Sequence, residues 1–363
     1  MPSLALVVLT RNSEAVLGRC LGSARAFADA IYVLDTGSKD RTITIARKYG
    51  AEVHEMAWPG RFDVAVNALF DLVSESWTLR LDSDEWLLDG AGALIRSVLG
   101  APQDLFYLTR VDYGPDGSAS EMLLPRLVRT SLGIRVEGRI HEHFPVEQVA
   151  VLRSGELAAK LGHDGYASAI QTEKLRRNAD LLREELEEHP DSFYYGVELG
   201  RTLMQLHDSE GAVIVNTLAD RLVEQQHLEV LPDPLGGDLL ASALDLVGDD
   251  DVASPRTDAL LRLARGWCAR LPGTTWAAAQ LYLRRKQLRE AMDCLLDLED
   301  MLVRDDYWRV GAFRRGMLER ATWQNLALVA HQLGRREVAK RNYERWLKLD
   351  PLNQQARTNL ALL

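Results

Sequence analysis

Two aspartates with one residue between them are the clearest chemical feature of this sequence. Asp82 and Asp84 belong to the tetrad Asp82-Ser83-Asp84-Glu85, which follows the apolar run at residues 77–81. In an extended segment, side chains at positions i and i+2 project to the same side, so the two carboxylates can converge. They would repel each other unless a cation or a hydrogen-bonded sugar edge compensates them. A hard divalent cation that also binds phosphate oxygens suits this pair. The simpler alternative is a polar turn, because Asp and Ser are common turn residues.

Polar residues also follow the first two apolar runs of the chain. Thr10 and Arg11 come directly after the first run, and Asp35 opens the segment Asp35-Thr36-Gly37-Ser38-Lys39-Asp40-Arg41-Thr42 after the second. Asp40 can cap the helix that follows, and Asp35 is well placed for a ribose hydroxyl or a base edge. The sequence has neither a glycine-rich dinucleotide turn nor a phosphate loop. A cation is therefore expected to hold the pyrophosphate of a bound nucleotide.

Alternating strands and helices must position these residues. Up to about residue 165, short apolar runs alternate with helical periodicity, which predicts a mostly parallel sheet with crossover helices. Ligands of such sheets bind outside the carboxyl ends of the strands, where the polar clusters lie. The predicted strands cover residues 4–9, 30–34, 52–55 and 77–81, and the predicted helices cover residues 13–27, 41–49 and 62–74.

From about Thr172 onward helical periodicity dominates. The last segment has the register of a tetratricopeptide repeat, with weaker copies around Tyr282 and Leu199, and Pro351 ends its second helix. We therefore predict an α/β domain at residues 1–170 and an all-α domain of helical hairpins at residues 171–363. Helical hairpins usually bind partners or dimerise, so we expect this half to dock an acceptor or to form a homodimer.

The ordered motifs of the N-terminal half resemble those of family 2 glycosyltransferases with the GT-A fold, a Rossmann-like α/β domain. The longer pattern, with helical repeats behind it, is similar to a bacterial subgroup that includes the sublancin-type peptide S-glycosyltransferases, and also to lipopolysaccharide-core-type transferases. The motifs that carry the resemblance are Thr10-Arg11-Asn12, the Asp35–Thr42 segment, Phe62-Asp63 with Asn67, the acidic tetrad, Pro125-Arg126-Leu127-Val128-Arg129, Glu137-Gly138-Arg139-Ile140-His141-Glu142 and His163-Asp164-Gly165-Tyr166.

The resemblance implies roles at the matching positions. Thr10 and Asp35 would contact the nucleotide base, and Asp82 would lie near the ribose or base. Asp84 would coordinate Mn²⁺ or Mg²⁺ at the diphosphate, and His163 would reach the metal or the diphosphate. A structural or surface histidine is the alternative for His163.

The family usually has an Arg immediately before the position of Asn67, another residue expected at the nucleotide. Here that position is Val66. The cationic contact to the nucleotide is therefore absent or supplied by Arg61 or Arg11.

An inverting transfer needs a base that takes the acceptor proton. Glu142 is the first candidate and Glu137 the second. His141 could hold the carboxylate or contact the diphosphate, and Arg139 could offset negative charge. Alternatively, this cluster is a salt-bridged loop.

Bulk properties limit the class of protein. The net charge of -10 over 363 residues argues against a nucleic-acid surface. The three cysteines, 20, 268 and 294, form no metal or redox pattern, and an odd count suits a reducing compartment. The apolar segment at residues 4–9 is too short for a signal-peptide core, and no apolar stretch is long enough for a membrane span. We therefore expect a cytoplasmic protein.

The sequence predicts a metal-dependent, inverting glycosyltransferase. The expected donor is a nucleoside-diphosphate sugar, with UDP as the expected nucleotide, and the acceptor is a peptide or protein side chain or a saccharide. One alternative is a degenerate transferase domain that serves as a binding scaffold, which the residue at position 66 favours. Another is nucleotidyl transfer by the same carboxylates.

Overall fold

The structure is a computed structural model that describes residues 2–113, 119–163, 168–224, 234–267, 270–307 and 315–363. Cys268 and the motif residues 164–166 lie outside these ranges. The contacts divide the chain into two compact units, Met1–Pro190 and Asp191–Leu363. Within the described ranges, every helix is too short or too polar to cross a bilayer.

The N-terminal unit contains eight strands and six helices in its described part. The strands are β1 (Leu4–Thr10), β2 (Ala30–Asp35), β3 (Glu52–Glu55), β4 (Trp77–Asp82), β5 (Glu85–Leu87), β6 (Leu105–Tyr113), β7 (Ala119–Arg129) and β8 (Ser154–His163). The helices are α1 (Leu17–Ala24), α2 (Thr42–Lys48), α3 (Phe62–Phe70), α4 (Ala91–Val98), α5 (Val146–Ala150) and α6 (Ser168–Glu188).

One mixed sheet contains all eight strands, in the order β3-β2-β1-β4-β7-β6-β8-β5. The first four strands of this order pair in parallel. β7 pairs antiparallel with β4 and with β6, β8 runs parallel to β6, and β5 pairs antiparallel with β8. Thr10 lies opposite Asp35, and Leu9 lies opposite Asp82. The parallel half therefore brings the predicted polar residues to one edge, as a parallel sheet requires.

Both faces of β1 are buried, which explains its uninterrupted apolar sequence. Leu4, Leu6 and Val8 pack into one hydrophobic cluster with α1 and α4. Ala5 and Val7 pack into another, with α3 on the opposite face of the sheet. The packing on both faces holds β1 in place and thereby fixes the position of its carboxyl end.

The C-terminal unit is all-α in its described part. Its helices are α7 (Phe193–Gln205), α8 (Ser209–Glu224), α9 (Pro234–Asp245), α10 (Pro255–Trp267), α11 (Pro272–Arg284), α12 (Leu288–Arg304), α13 (Arg315–Gln332), α14 (Arg336–Leu349) and α15 (Gln354–Ala361).

Small residues allow the hairpins of this unit to pack closely. In the α7–α8 hairpin, a Cβ added to Gly211 would lie 2.6 Å from the backbone oxygen of Gly200, so only glycine fits. Ala330 and Ala339 are fully buried in the α13–α14 hairpin. The predicted fold class, a GT-A-type α/β domain followed by an all-α domain of helical hairpins, is confirmed.

The boundary between the two compact units lies at residue 190, whereas the predicted domain boundary lies twenty residues earlier, at residue 170. The reason is α6, which packs with the N-terminal unit through ion pairs. Arg139 contacts the side chain of Glu188, and its backbone N–H donates to Glu185. Helical periodicity alone could not assign this helix to either unit.

Candidate active site

The acidic tetrad forms the turn between β4 and β5, at the carboxyl end of the parallel strands. Asp82 ends β4, and Glu85 begins β5. The hydroxyl oxygens of Ser83 and Ser13 lie 3.0 Å apart, which ties this turn to the segment after β1. The tetrad thus lies where ligands of such sheets bind, and its two aspartates have different partners.

Asp84 lies against His163, at the end of β8. The Nε2 atom of His163 is 3.4 Å from Oδ2 of Asp84, and its Nδ1 atom is 2.6 Å from Oδ1 of Asp112. Asp112 is almost completely buried near the end of β6. A carboxylate behind an imidazole that faces a second ligand is a common outer-shell arrangement of metal sites. The sequence pattern did not single out Asp112.

Hydrogen bonds and charges within this group of three side chains shift the pKa values of its members. Burial by itself would lower the pKa of His163, but hydrogen bonds with Asp112 and Asp84 outweigh burial and raise the pKa to about 9. Burial would raise the pKa of Asp84, and the bond with His163 reverses that effect and lowers it. One carboxylate oxygen and one imidazole nitrogen are donors that Mn²⁺ accepts, and Mg²⁺ favours the oxygen. Histidine binds a metal as the neutral imidazole, so a cation here would displace the proton of Nε2. With that proton released, Asp84 and His163 fit the predicted cation.

Asp82 belongs to a buried ion-pair network. Arg126 donates to Oδ2 of Asp82 at 2.8 Å and to Oε1 of Glu85 at 2.5 Å. Burial would raise the pKa of Asp82, but Arg126 and Arg80 hold that pKa well below its usual range. Burial raises the pKa of Glu85, which is fully buried. Asp82 remains 40% exposed at its side chain, so it can still face a ligand.

A β-bulge aims Arg126 at these acids. Phe106 of β6 lies opposite Leu127, while Tyr107 lies opposite Pro125, so the pairing of the two strands skips Arg126. A bulge leaves one residue unpaired and redirects its side chain, and Pro125 has no N–H to donate to a regular ladder. The sequence contained this motif, but only the pairing of β6 with β7 shows what Arg126 contacts.

Thr10 and Asp35 form the predicted base-binding edge. Both are buried, and they lie opposite each other in the pairing of β1 with β2. Oδ1 of Asp35 accepts hydrogen bonds from the backbone N–H groups of Gly37 and Ser38, at 2.9 and 2.8 Å. The second carboxylate oxygen of Asp35 and the hydroxyl of Thr10 are buried without a hydrogen-bond partner in the structure. Such unpaired buried groups are costly, and a hydrogen-bonding ligand would satisfy them.

The two candidate bases lie in different surroundings. Glu142 is mostly buried and forms an ion pair with Arg80, whose guanidinium also lies 3.3 Å from Oδ1 of Asp82. Glu137 is 57% exposed and lies 3.5 Å from His143. The side chain of His141 is exposed, and its backbone has a positive φ of 53°. The structure therefore links Glu142, through Arg80, to the acidic turn.

Three residues expected at the nucleotide have partners inside the N-terminal unit. Arg61 forms two hydrogen bonds with Asp63, at 3.0 and 2.8 Å. Asn67 exchanges two hydrogen bonds with the backbone of Val136. Arg139 pairs with Glu188 on α6. A nucleotide contact would require each of them to exchange a partner, so these three sites remain predictions. Arg11 is exposed after β1.

Position 66 faces the protein core. Val66 is fully buried in the cluster between α3 and the sheet. A guanidinium at this position would be enclosed by apolar side chains, at a high desolvation cost. Position 66 therefore offers no cationic contact to a nucleotide, and that contact is absent or supplied by Arg61 or Arg11, as the sequence predicts.

Trp86, beside the tetrad, stacks with other side chains. The guanidinium of Arg19 lies 3.6 Å from the centroid of its ring, and the ring of Tyr113 stacks at 6.0 Å. These contacts indicate that Trp86 packs against neighbouring side chains.

Comparison with known proteins assigns the class of the N-terminal part. Residues 5–153 match the family described as Glycosyl transferase family 2. This part of the chain is therefore a family 2 glycosyltransferase domain, as its motifs indicated. An uncharacterized glycosyltransferase from Rickettsia typhi is 32% identical over 87 residues, which cover 24% of this chain and 30% of that protein.

One relative is similar over both halves. A TPR repeat-containing protein from Synechococcus elongatus is 29% identical over 308 residues, covering 81% of this chain and 74% of that protein. Residues 1–349 of S. aureus TarS have 15% identity and a TM-score of 0.37, over 85% of this chain and 93% of that one. A Mycobacterium tuberculosis glucosyl-3-phosphoglycerate synthase, solved with Mn²⁺ and UDP, has 16% identity and a TM-score of 0.28. The chain spans 58% of that synthase, and the match covers 36% of this chain.

Proposed function

We propose that this protein transfers a sugar from a nucleoside-diphosphate sugar to an acceptor, in a reaction that requires Mn²⁺ or Mg²⁺. The observation that carries this proposal is the convergence of Asp84 and His163, with Asp112 behind the imidazole, at the carboxyl ends of the strands of a family 2 domain. A carboxylate behind a histidine that faces a second carboxylate is the outer-shell arrangement of a metal site, and this favours an enzyme over a binding scaffold.

The donor would be held by residues of the parallel half of the sheet. Asp84 and His163 would bind the divalent cation, which acts as a Lewis acid for the leaving diphosphate when bound. Asp35 and Thr10 offer a buried acceptor and a buried hydroxyl to the base. An unpaired carboxylate oxygen can accept a hydrogen bond from an N–H group of a nucleotide base, and UDP is the nucleotide expected with the family resemblance. Asp82, fixed by Arg126, would face the ribose.

The acceptor proton would go to Glu142. In an inverting transfer, the acceptor atom bonds to the anomeric carbon as the bond to the diphosphate breaks, and a base takes the proton. The ion pair with Arg80 is compatible with the carboxylate form that accepts it, and Arg80 also contacts Asp82. Glu137 is the alternative, on an exposed loop.

The helical hairpins of the C-terminal unit would bind a peptide or protein acceptor, or a second copy of the chain. Concave hairpin surfaces suit extended peptides. Deleting residues from about 190 onward should abolish transfer to a polymeric acceptor but spare slow hydrolysis of the donor, because the metal-site residues lie in the N-terminal unit. If the deletion affects neither activity, the acceptor role of this unit is wrong.

Mass spectrometry of reactions with a panel of UDP-, GDP- and dTDP-sugars would test the reaction. We expect transfer or donor hydrolysis that depends on Mn²⁺ or Mg²⁺ and is lost in Asp84→Asn. Asp89→Asn is the matched control, because Asp89 is an exposed acid five residues away. If Asp84→Asn is as active as Asp89→Asn, the metal assignment is wrong.

Two further outcomes identify the alternatives. Calorimetry that shows no metal-dependent binding of any nucleoside diphosphate would favour the scaffold. Consumption of a nucleoside triphosphate with release of pyrophosphate would favour nucleotidyl transfer.

A further inference from the structure

A lysine of α6 shares the metal-site carboxylate. Nζ of Lys174 lies 3.3 Å from Oδ2 of Asp84, the same oxygen that His163 approaches at 3.4 Å. Lys174 is 43% exposed at its side chain, so its ammonium group can move. An ammonium group and an imidazole thus lie at one carboxylate oxygen, and neither the motifs nor the family resemblance assigned a role to Lys174.

A divalent cation on Asp84 and His163 would displace this ammonium group. Like charges repel at such short range, and a carboxylate that coordinates a metal has less charge to offer a lysine. Lys174 would then need another anion close to the same place. In the proposed reaction that anion is the diphosphate of the donor, which lies beside the cation.

We propose that Lys174 exchanges Asp84 for the diphosphate oxygens of the donor and so helps to bind the leaving group. This inference rests on the proposed function. Lysine suits the task, since it is a mobile point charge that binds phosphate. The exchange keeps Lys174 paired before and after the donor binds.

Other cations lie on the same side of α6. Arg177 follows Lys174 by three residues, and residues three apart share one face of a helix. Its guanidinium lies 5.3 Å from the ring of Phe62. Desolvation and the charge of Arg11 lower the pKa of Arg177, and the charge of Glu173 opposes them. Within the described part of the chain, neither arginine has a salt bridge to a carboxylate. Cations that form no salt bridge can attract an anionic ligand.

The position of these cations answers the question raised by Val66. Val66 is buried, and Arg61 and Arg139 already pair with acids of the N-terminal unit. Lys174 of α6 is therefore a further candidate for this cationic contact, beside Arg11.

The exchange predicts two opposite effects of one substitution. Lys174→Gln removes a competitor for Asp84, so Mn²⁺ should bind more tightly in the absence of nucleotide. The same change removes a charged contact to the diphosphate, so UDP should bind about tenfold more weakly at saturating Mn²⁺. Binding of uridine, which has no phosphate, should not change.

Arg176→Gln is the matched control, because Arg176 is an exposed cation two residues away on the same helix. It removes the same charge and should leave both affinities nearly unchanged. Lys174→Arg should restore most of the UDP affinity. The measurements are calorimetry with UDP and GDP at saturating Mn²⁺, and electron paramagnetic resonance of free Mn²⁺ without nucleotide. Thermal midpoints confirm that each variant is folded.

Either of two results overturns the inference. If the Lys174→Gln variant binds UDP with the same affinity as the Arg176→Gln variant, Lys174 does not contact the diphosphate. Lys174→Gln could instead bind Mn²⁺ more weakly without nucleotide, which would make Lys174 a support for Asp84. If the wild-type protein binds neither UDP nor GDP in the presence of Mn²⁺, the proposed function itself fails. The wild-type titration therefore separates that failure from failure of the inference.

Discussion

Asp112→Asn is expected to weaken Mn²⁺ binding by about ten- to a hundredfold, the usual effect of losing an outer-shell carboxylate. Asp112 is 1% exposed, and its Oδ1 atom lies 2.6 Å from Nδ1 of His163. This bond leaves Nε2 of His163 directed at Asp84. Asparagine has the same size but no charge, so it loses the charge-assisted part of the bond. The expected change corresponds to about 1.4–2.8 kcal/mol of binding free energy.

A loss of stability must be separated from this effect. Asp112 also accepts a hydrogen bond from Arg110 at 3.2 Å, so Asp112→Asn weakens a buried ion pair. Asp104→Asn is the matched control, since Asp104 lies at the opposite end of β6 and accepts two hydrogen bonds from the Arg153 guanidinium, at 2.9 and 3.0 Å. Both variants should unfold at lower urea concentration than the wild type, but only Asp112→Asn should bind Mn²⁺ more weakly.

The assay is a titration with Mn²⁺ near pH 7, in which electron paramagnetic resonance reports the free ion. Urea unfolding of the same samples without metal gives the stability of each variant. Equal Mn²⁺ affinity in the two variants would refute the reasoning, because Asp112 would then contribute to the fold and not to the orientation of His163.

Three further predictions concern the candidate base, the Arg61–Asp63 ion pair and the buried network. Glu142→Gln should lower kcat by about 10²- to 10⁴-fold, while Glu137→Gln should stay close to wild type, as measured by steady-state transfer; the reverse order would move the base to Glu137. Asp63→Asn should lower stability, because burial tends to raise the pKa of Asp63 but Arg61 lowers it overall. Because the pKa of Asp63 is lower in the folded than in the unfolded protein, its carboxylate stabilises the fold at pH values above the unfolded pKa of about 4. This stabilisation is lost as the pH falls from there through the folded pKa, so the urea midpoints of variant and wild type should converge as the pH falls under about 4. Arg126→Met should cost about 3–5 kcal/mol in urea unfolding, because it leaves two acids without their shared cation, and a cost under about 1 kcal/mol would contradict the buried network.

The parallel half of the sheet could be predicted because its signals are local. The apolar runs before Thr10, Asp35 and Asp82 end where the strands end, within one residue. The runs before Thr10 and Asp35 are buried along most of their length and lack charged residues. The run before Asp82 contains Thr78 and Arg80 and still keeps its apolar residues buried. Helix boundaries were less well predicted: the first helix covers Leu17–Ala24, and residues 13–27 were expected. Periodicity locates a helix better than it locates the ends of one.

The antiparallel half could not be predicted because its strands do not show a local apolar pattern. β7 contains Pro125 and Arg126, and β8 has exposed residues along much of its length. Their pairing depends on partners far along the chain, such as Tyr107 opposite Pro125. The bulge that aims Arg126 at the acids follows from that pairing, so no spacing rule could give it.

The same limit applies to the site residues that the motifs did not identify. Asp112 and Lys174 are separated from His163 and Asp84 by 51 and 90 residues. Both are common residue types, and their roles follow only from position. The motifs identified residues at the strand ends. The side chains that form hydrogen bonds or ion pairs with those residues could be identified only from the tertiary structure.

The two aspartates of the tetrad therefore have different partners, although their spacing makes them look equivalent. Asp82 is fixed by Arg126 and Arg80, and Arg80 also holds Glu142. A change at Asp82 would disturb the candidate base and the buried network together, so loss of activity in Asp82→Asn would not identify a nucleotide contact. Asp84 contacts His163 and Lys174 and has no direct contact with Arg126 or Arg80 among the described ion pairs. It is connected to Glu85 only indirectly, through His163, Asp112 and Arg110. Asp84→Asn therefore disturbs the buried network less than Asp82→Asn does and is the sharper test of the chemistry.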